Sequence, residues 1–168
     1  MENYRYCPVC GTGLETMPVD GIDRKACPSE KCGWVLWDNP VPVVAALVEI
    51  DGMILLARNR LWPENIFALI TGFIEKNETP EAAAAREIKE ELDLDTESLD
   101  FIGLYAFTEN NQLIAAYHAV CRGEIRTGDE IAAVKKIHPD RLRGWDYGTG
   151  PAVRDWLSRR NEAGEHKC

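Results

Sequence analysis

The chain has 168 residues, a formal net charge of −9 at neutral pH, 45% hydrophobic residues and six cysteines. That length accommodates one good core plus a small accessory module, and the hydrophobic share excludes a chain disordered throughout. The acidic balance opposes nonspecific binding to nucleic acid or an anionic membrane, whereas a bound divalent cation would reverse the local charge and admit an anionic substrate. No signal-peptide pattern and no apolar run of about 18 residues is present, so a cytoplasmic protein is expected.

In chain order, two cysteine pairs come first. Cys7 and Cys10 form a CxxC knuckle followed by Gly11, and Cys27 and Cys32 form a CxxxxC knuckle followed by Gly33. Four thiolates in two such pairs can surround zinc tetrahedrally. Disulfides are disfavoured without export, and a redox CxxC usually opens a helix, whereas Pro8 and Gly11 favour a turn. Residues 1–38 are therefore expected to form a small zinc ribbon, with Cys7, Cys10, Cys27 and Cys32 holding structural Zn²⁺. Its basic residues are balanced by acidic ones, so it offers no nucleic-acid surface.

Pro40 and Pro42 mark the junction to a main domain over residues 39–160. The apolar run 42–50 predicts a buried strand, Asp51-Gly52 a hairpin turn, and 53–60 the returning strand. Arg58 and Arg60 end that strand and are candidates to face phosphates. Trp62 and Phe67 flank the loop that follows. Thr79-Pro80 then starts a helix, because Thr caps free N–H groups and Pro suits the first turn. Ala84, Ile88 and Leu92 make its apolar face. Glu87, Glu90 and Glu91 converge on another face, where like charges repel. Such a face can be plain solvated surface. It also suits a hard divalent cation, since Mg²⁺ and Mn²⁺ prefer oxygen ligands.

The wider pattern decides between these readings. Gly72, five residues, Glu78, seven residues, Arg86-Glu87-Ile88, one residue, Glu90-Glu91, one residue, Asp93-Leu94 resembles the Nudix box. The family has Gly where this chain has Asp93, and every other fixed position matches. The family Gly ends the helix in a left-handed conformation, which Asp is among the few residues to tolerate. The resemblance implies an α/β/α Nudix sandwich with a mixed β-sheet. It implies Mg²⁺ or Mn²⁺ at Glu87, Glu90 and Glu91, the Gly72 carbonyl as a further metal ligand, and Arg86 and Glu78 as supports for these carboxylates.

Beyond the box, residues 99–125 predict two strands around Asn110-Asn111. Tyr105, Phe107 and Tyr117 alternate within them, one face for the core and the other open to a stacked ring. Arg58, Phe67 and Phe107 are the candidate substrate contacts. His118 reads as a satisfied structural histidine and Cys121 as a small core residue. A turn over 126–129 precedes Glu130, which is expected to start a strand and which, by the resemblance, can join the metal site or position water. Pro151 opens a last helix with Val153, Trp156 and Leu157 as its buried stripe. Residues 161–168, with Cys168, read as a flexible tail.

The catalytic set implied by the resemblance is thus Arg86, Glu87, Glu90, Glu91 and Glu130, with Glu91 or Glu130 as general base. The implied reaction is metal-dependent hydrolysis of a diphosphate linkage in a nucleoside diphosphate derivative. A ribbon before a Nudix box resembles the NADH pyrophosphatase branch, which points to NADH or ADP-ribose and to a homodimer. That branch carries an SQPWPFP-like segment after its box, and this chain has LYAFTENNQLIAAY there. The alternatives are a nucleoside triphosphate pyrophosphohydrolase and a non-catalytic nucleotide sensor or interaction module.

Overall fold

The computed structural model describes residues 4–165, and the chain divides near Asn39 into two compact units. In the first, strands β1 (Glu15–Val19) and β2 (Ile22–Ala26) pair antiparallel through a turn at Asp20-Gly21. The two cysteine knuckles close on one another beside this hairpin, with the Cys7 N–H donating to Thr12 O and the Cys27 N–H donating to Trp34 O, each at 2.8 Å. Among the unit's described residues only Cys7, Ala26 and Cys27 are buried.

The second unit begins at Pro40. Strands β3 (Val41–Ile50) and β4 (Met53–Asn59) form the expected hairpin. Asp51 and Gly52 both have positive φ, which the tightest hairpin turns require. Next come β5 (Ile70–Phe73), α1 (Pro80–Leu92), β6 (Asp95–Phe107), β7 (Gln112–Arg122), β8 (Ile131–Ile137) and α2 (Gly150–Glu165). The sheet runs β6-β7-β3-β4-β8, with β5 also paired to β3. It is mixed, because β3 and β7 run parallel while the other pairs are antiparallel.

Strand β3 is buried on both faces, as a central strand must be when helices cover both sides. Val43, Ala45 and Leu47 pack with Ile54 and Leu56 against Ala152 and Val153 of α2. The alternate residues Ala46, Val48 and Ile50 pack with Leu55 and Ala57 against Ile88 and Leu92 of α1. The result is a helix–sheet–helix arrangement, an α/β fold.

Several boundaries differ from the sequence reading, among them the end of β7 at Arg122 where the strand was expected to run to 125. β6 begins at Asp95, four residues before the expected strand. Glu130 lies in the turn ahead of β8, not in the strand. α2 continues to Glu165, into the stretch read as a tail, and its Asn161 and Glu162 are exposed. Cys168 lies outside the described residues. No helix among the described residues is long and apolar enough to cross a membrane.

Candidate active site

Three elements meet at one end of the sheet. β5 is paired to β3, with Gly72 opposite Val44. α1 is capped by Thr79, whose hydroxyl accepts from the Ala82 N–H, and it ends at Asp93, which is left-handed at φ 55°. Its buried stripe of Ala84, Ile88 and Leu92 holds it to the sheet, which leaves Glu87, Glu90 and Glu91 facing the end of β5. The third element is the turn before β8. Its Arg126 and Gly128 N–H groups donate to the Leu92 and Glu91 carbonyls, both at 2.9 Å. These are among the carbonyls a helix C-terminus leaves free. A Cβ on Gly128 would lie 2.5 Å from the Glu90 carbonyl oxygen, so only glycine lets the turn approach this closely.

The turn thereby delivers Glu130. A cavity of about 280 Å³ is lined by Gly72, Glu87, Glu90, Glu91, Gly128 and Glu130 among others. Asp129 lines it too, so five carboxylates share this small space. Burial, and then the charges of Glu87, Glu130 and Glu90, push Glu91 up to about 8. Burial also raises Glu87, against the pull of Arg86 and with the push of Glu90 and Glu130. Among the described residues the positive charge bonded to this cluster is Arg86. Its Nη1 donates to Glu87 Oε1 at 2.7 Å and to Glu90 Oε2 at 3.1 Å. Its Nε and Nη2 donate to the two Glu78 oxygens at 2.8 and 3.0 Å, and Nη2 also donates to the Phe73 carbonyl. Glu78 in turn accepts from the Glu75 N–H. Arg86 therefore ties the loop after β5 to α1, and these contacts hold its guanidinium still more firmly protonated.

A larger cavity of about 590 Å³ adjoins the first and shares Thr71, Gly72 and Phe73 with it. Its walls are aromatic, with Trp62, Phe67, Phe107, Trp145 and Tyr147, and no lining residue carries a formal charge. The structure thus brings together Gly72, Glu87, Glu90, Glu91 and Glu130, and it sets Phe67 and Phe107 next door. It does not bring in Arg58, which lines neither cavity. Ala57 packs on the α1 side of the sheet, and strand alternation turns Arg58 to the other side. His118 lines neither cavity, with Nε2 2.7 Å from Glu49 Oε2 and its ring against Trp156. Tyr117 is buried and donates to Glu81 at 2.8 Å. Sequence reasoning missed Trp145, Tyr147 and Thr149, which sit in a loop with no periodic signal.

Comparison with known proteins now adds to this geometry. The NUDIX domain family matches residues 39–157. The chain belongs to the Nudix family. A Nudix hydrolase structure from Nitrosomonas europaea matches with a TM-score of 0.72 and 25% identity, covering 82% of this chain and 80% of that one. The NAD-capped RNA hydrolase NudC of Pseudomonas aeruginosa PAO1 is 28% identical over 140 residues, which is 82% of this chain and 49% of NudC. The Mycobacterium tuberculosis H37Rv protein of that name is 37% identical over 81 residues, 47% of this chain and 26% of its own. The chain spans about half the length of the curated relatives it first matches. The Nudix domain's box lies on β5, the loop after it and α1, the elements that build the acidic cavity.

In the first unit the four cysteine sulfurs lie within 4.8 Å of one another. Cys7 Sγ is 3.5 Å from Cys32 Sγ, and Cys10 Sγ is 3.4 Å from Cys27 Sγ. Both separations exceed a disulfide bond and lie close to the edge of about 3.8 Å in a tetrahedron of Zn–S bonds. The cluster can hold a metal ion.

Proposed function

We propose that this Nudix domain hydrolyses the diphosphate linkage of a nucleoside diphosphate derivative, with NADH or ADP-ribose as the substrate type. The observation that carries the reading is the convergence of Glu87, Glu90, Glu91 and Glu130 beside an uncharged aromatic cavity large enough for a nucleoside. The cluster suits a divalent cation, because burial and then the charges of neighbouring carboxylates push Glu91 up to about 8, a cost that bound positive charge would offset. Glu87, Glu90, Glu91 and Glu130, with the Gly72 carbonyl, would hold Mg²⁺ or Mn²⁺. When bound, such ions polarise phosphate oxygens and make water a better nucleophile.

The chain's own groups do the rest. Arg86 fixes Glu87 and Glu90 from one side and braces the Gly72 loop through Glu78. Either Glu91 or Glu130 accepts the proton of the attacking water at a carboxylate oxygen. The aromatic cavity takes the nucleoside and lays the diphosphate across Gly72 toward the carboxylates. The NudC relatives act on NAD-capped RNA, whose NAD unit contains a diphosphate. The acidic balance of this chain favours the free dinucleotide over a long RNA. The first unit is read as a zinc ribbon of structural role, and the protein as cytoplasmic and homodimeric.

The deciding experiment is hydrolysis in oxygen-18 water with Mg²⁺ or Mn²⁺. The panel holds NADH, ADP-ribose, nucleoside triphosphates and NAD-capped RNA, with products resolved by mass. The expected products are AMP with reduced nicotinamide mononucleotide from NADH, and AMP with ribose 5-phosphate from ADP-ribose, label entering a phosphate. Release of free nicotinamide contradicts attack on phosphorus. Binding without cleavage across the panel would make the domain a sensor. Glu90→Gln and Glu91→Gln should each lower turnover by orders of magnitude.

A further inference from the structure

Strand β4 pairs with β3 from the hairpin turn out to Leu55 and Val48, and β5 takes the edge of β3 from Ala46 onward. β4 and β5 meet at a single bridge, Ala57 with Ala68. Beside that bridge lies a small cavity of about 50 Å³, lined by Asn59 of β4, Thr71 of β5, Trp62, Glu91 and Glu130 among others. A water needs roughly 10–15 Å³ of such space and two or more polar partners, which this cavity supplies at its carboxylates.

Asn59 is held in one orientation. Its backbone carbonyl accepts from the Trp62 N–H at 3.0 Å, which makes 59–62 a turn, and its side-chain Oδ1 accepts from the Leu61 N–H at 2.9 Å. Asn at the first position of a turn makes this side-chain bond readily. An N–H can bond only the oxygen end of the amide, which leaves the Nδ2 end for Glu130. Nδ2 lies 3.5 Å from Glu130 Oε2. Glu130 is held through its backbone as well, since the Arg60 N–H donates to its carbonyl at 2.8 Å. The register of β4 on β8 shifts between Arg58 and Asn59, and such bulges re-aim side chains beside active sites.

Among the described residues Asn59 is the one hydrogen-bond donor to the Glu130 carboxylate. Glu87 and Glu90 are held differently, by the charge of Arg86. A neutral amide on Oε2 fixes a carboxylate without neutralising it and leaves Oε1 as a free acceptor. The 3.5 Å separation is long for a hydrogen bond, as contacts in unliganded active sites commonly are before the reacting complex draws them in.

We propose that Asn59 is a positioning residue that tethers one oxygen of Glu130 and leaves the other for the attacking water in the small cavity. That water's oxygen bonds phosphorus and its proton passes to Glu130. The bridging P–O bond breaks, and its electron pair leaves on the departing phosphate. The inference rests on reading the domain as a diphosphate hydrolase, and it deepens that reading by choosing Glu130 over Glu91 as the proton acceptor.

Asn59→Asp keeps the oxygen that accepts from the Leu61 N–H and replaces the donor by an acceptor. Asn59→Ala removes both without adding charge. Each is measured in the full chain with saturating Mg²⁺ and the best-cleaved substrate of the panel above, and Asn59→Ala also in a Glu130→Gln background. In both variants kcat should fall on the order of tenfold with KM kept, and Asn59→Ala should keep its manganese affinity. The thermal midpoint should fall more in Asn59→Ala, which loses the turn bond, so a kcat loss common to both variants is not a loss of fold. In Glu130→Gln, Asn59→Ala should lower kcat no further, because the group it acts through has gone. Wild-type kcat in Asn59→Ala overturns the proposal. So does wild-type kcat in Asn59→Asp, which would make Asn59 a turn residue only. A fall that persists in full in Glu130→Gln removes Glu130 as the intermediary, and a fall that excess manganese restores makes Glu130 a metal ligand; either overturns it. A wild type that cleaves no diphosphate removes the hydrolase reading and this inference with it, whereas cleavage indifferent to Asn59 removes the inference alone.

Discussion

Gly72 and Glu87 share one small volume. A Cβ on Gly72 would lie 1.8 Å from Glu87 Oε1, a distance no pair of non-bonded atoms sustains. Glu87 is also gripped by Arg86, so its carboxylate can yield only by leaving the cluster. Gly72→Ala should therefore fold and yet displace Glu87. Manganese affinity, read by electron paramagnetic resonance, should weaken, and turnover should fall on the order of 100-fold. An alanine variant with wild-type turnover and manganese binding would mean that Glu87 stands elsewhere in the working enzyme. At this scale the sequence was uneven. Glu87, Glu90 and Glu91 were legible because their spacing is local to one helix. Glu130 could be found only through the family resemblance, since a turn 39 residues further on must fold back under α1 to deliver it. Arg58 lines neither cavity, and a charge near a strand end does not tell which face it takes.

The helix α1 joins the core to the site, since the stripe that anchors it also aims its carboxylates. Ile88 is fully buried among the residues between α1 and the sheet. Ile88→Ala should cost about 3 kcal/mol of unfolding free energy, read as a lowered urea midpoint, against about 1 kcal/mol for Ile88→Val. A loss under about 1 kcal/mol for the alanine would show that the helix is held by something other than this stripe. Both ends of α1 were readable, because Thr79-Pro80 and the left-handed Asp93 are chemical signals confined to a few residues. β6 was harder. Its register shifts between Thr96 and Ser98 and again between Phe101 and Gly103, and each bulge breaks the alternation that betrays a strand. The stretch from Leu99 to Phe107 kept enough pattern to be recognised despite its bulge, and the first four residues were missed.

Over the whole molecule, the order of the sheet lay beyond reading from local pattern. Its central parallel pairing sets Val41 beside Gln112, and nothing in either segment names the other. The chain divides near Asn39, where the cysteine knuckles have stopped and the proline-marked apolar strands begin. The two units differ in what holds them together. The second has continuous apolar cores on both faces of its sheet. The first buries only Cys7, Ala26 and Cys27 among its described residues, too little apolar surface to offset the entropy of ordering the chain. Two of those three are members of the thiol cluster, so the metal is expected to supply the missing free energy, for which zinc bound by four thiolates has ample capacity. The purified chain should contain about one zinc. Cys7→Ser should lose it, and backbone amides between residues 4 and 39 should then exchange rapidly with solvent. Strands β3, β4 and β7 should keep their slow exchange, since their protection comes from apolar burial that the substitution does not touch. A wild-type chain without zinc would refute the metal assignment. Collapse of protection in β3 and β7 along with the first unit would show that the two units fold as one.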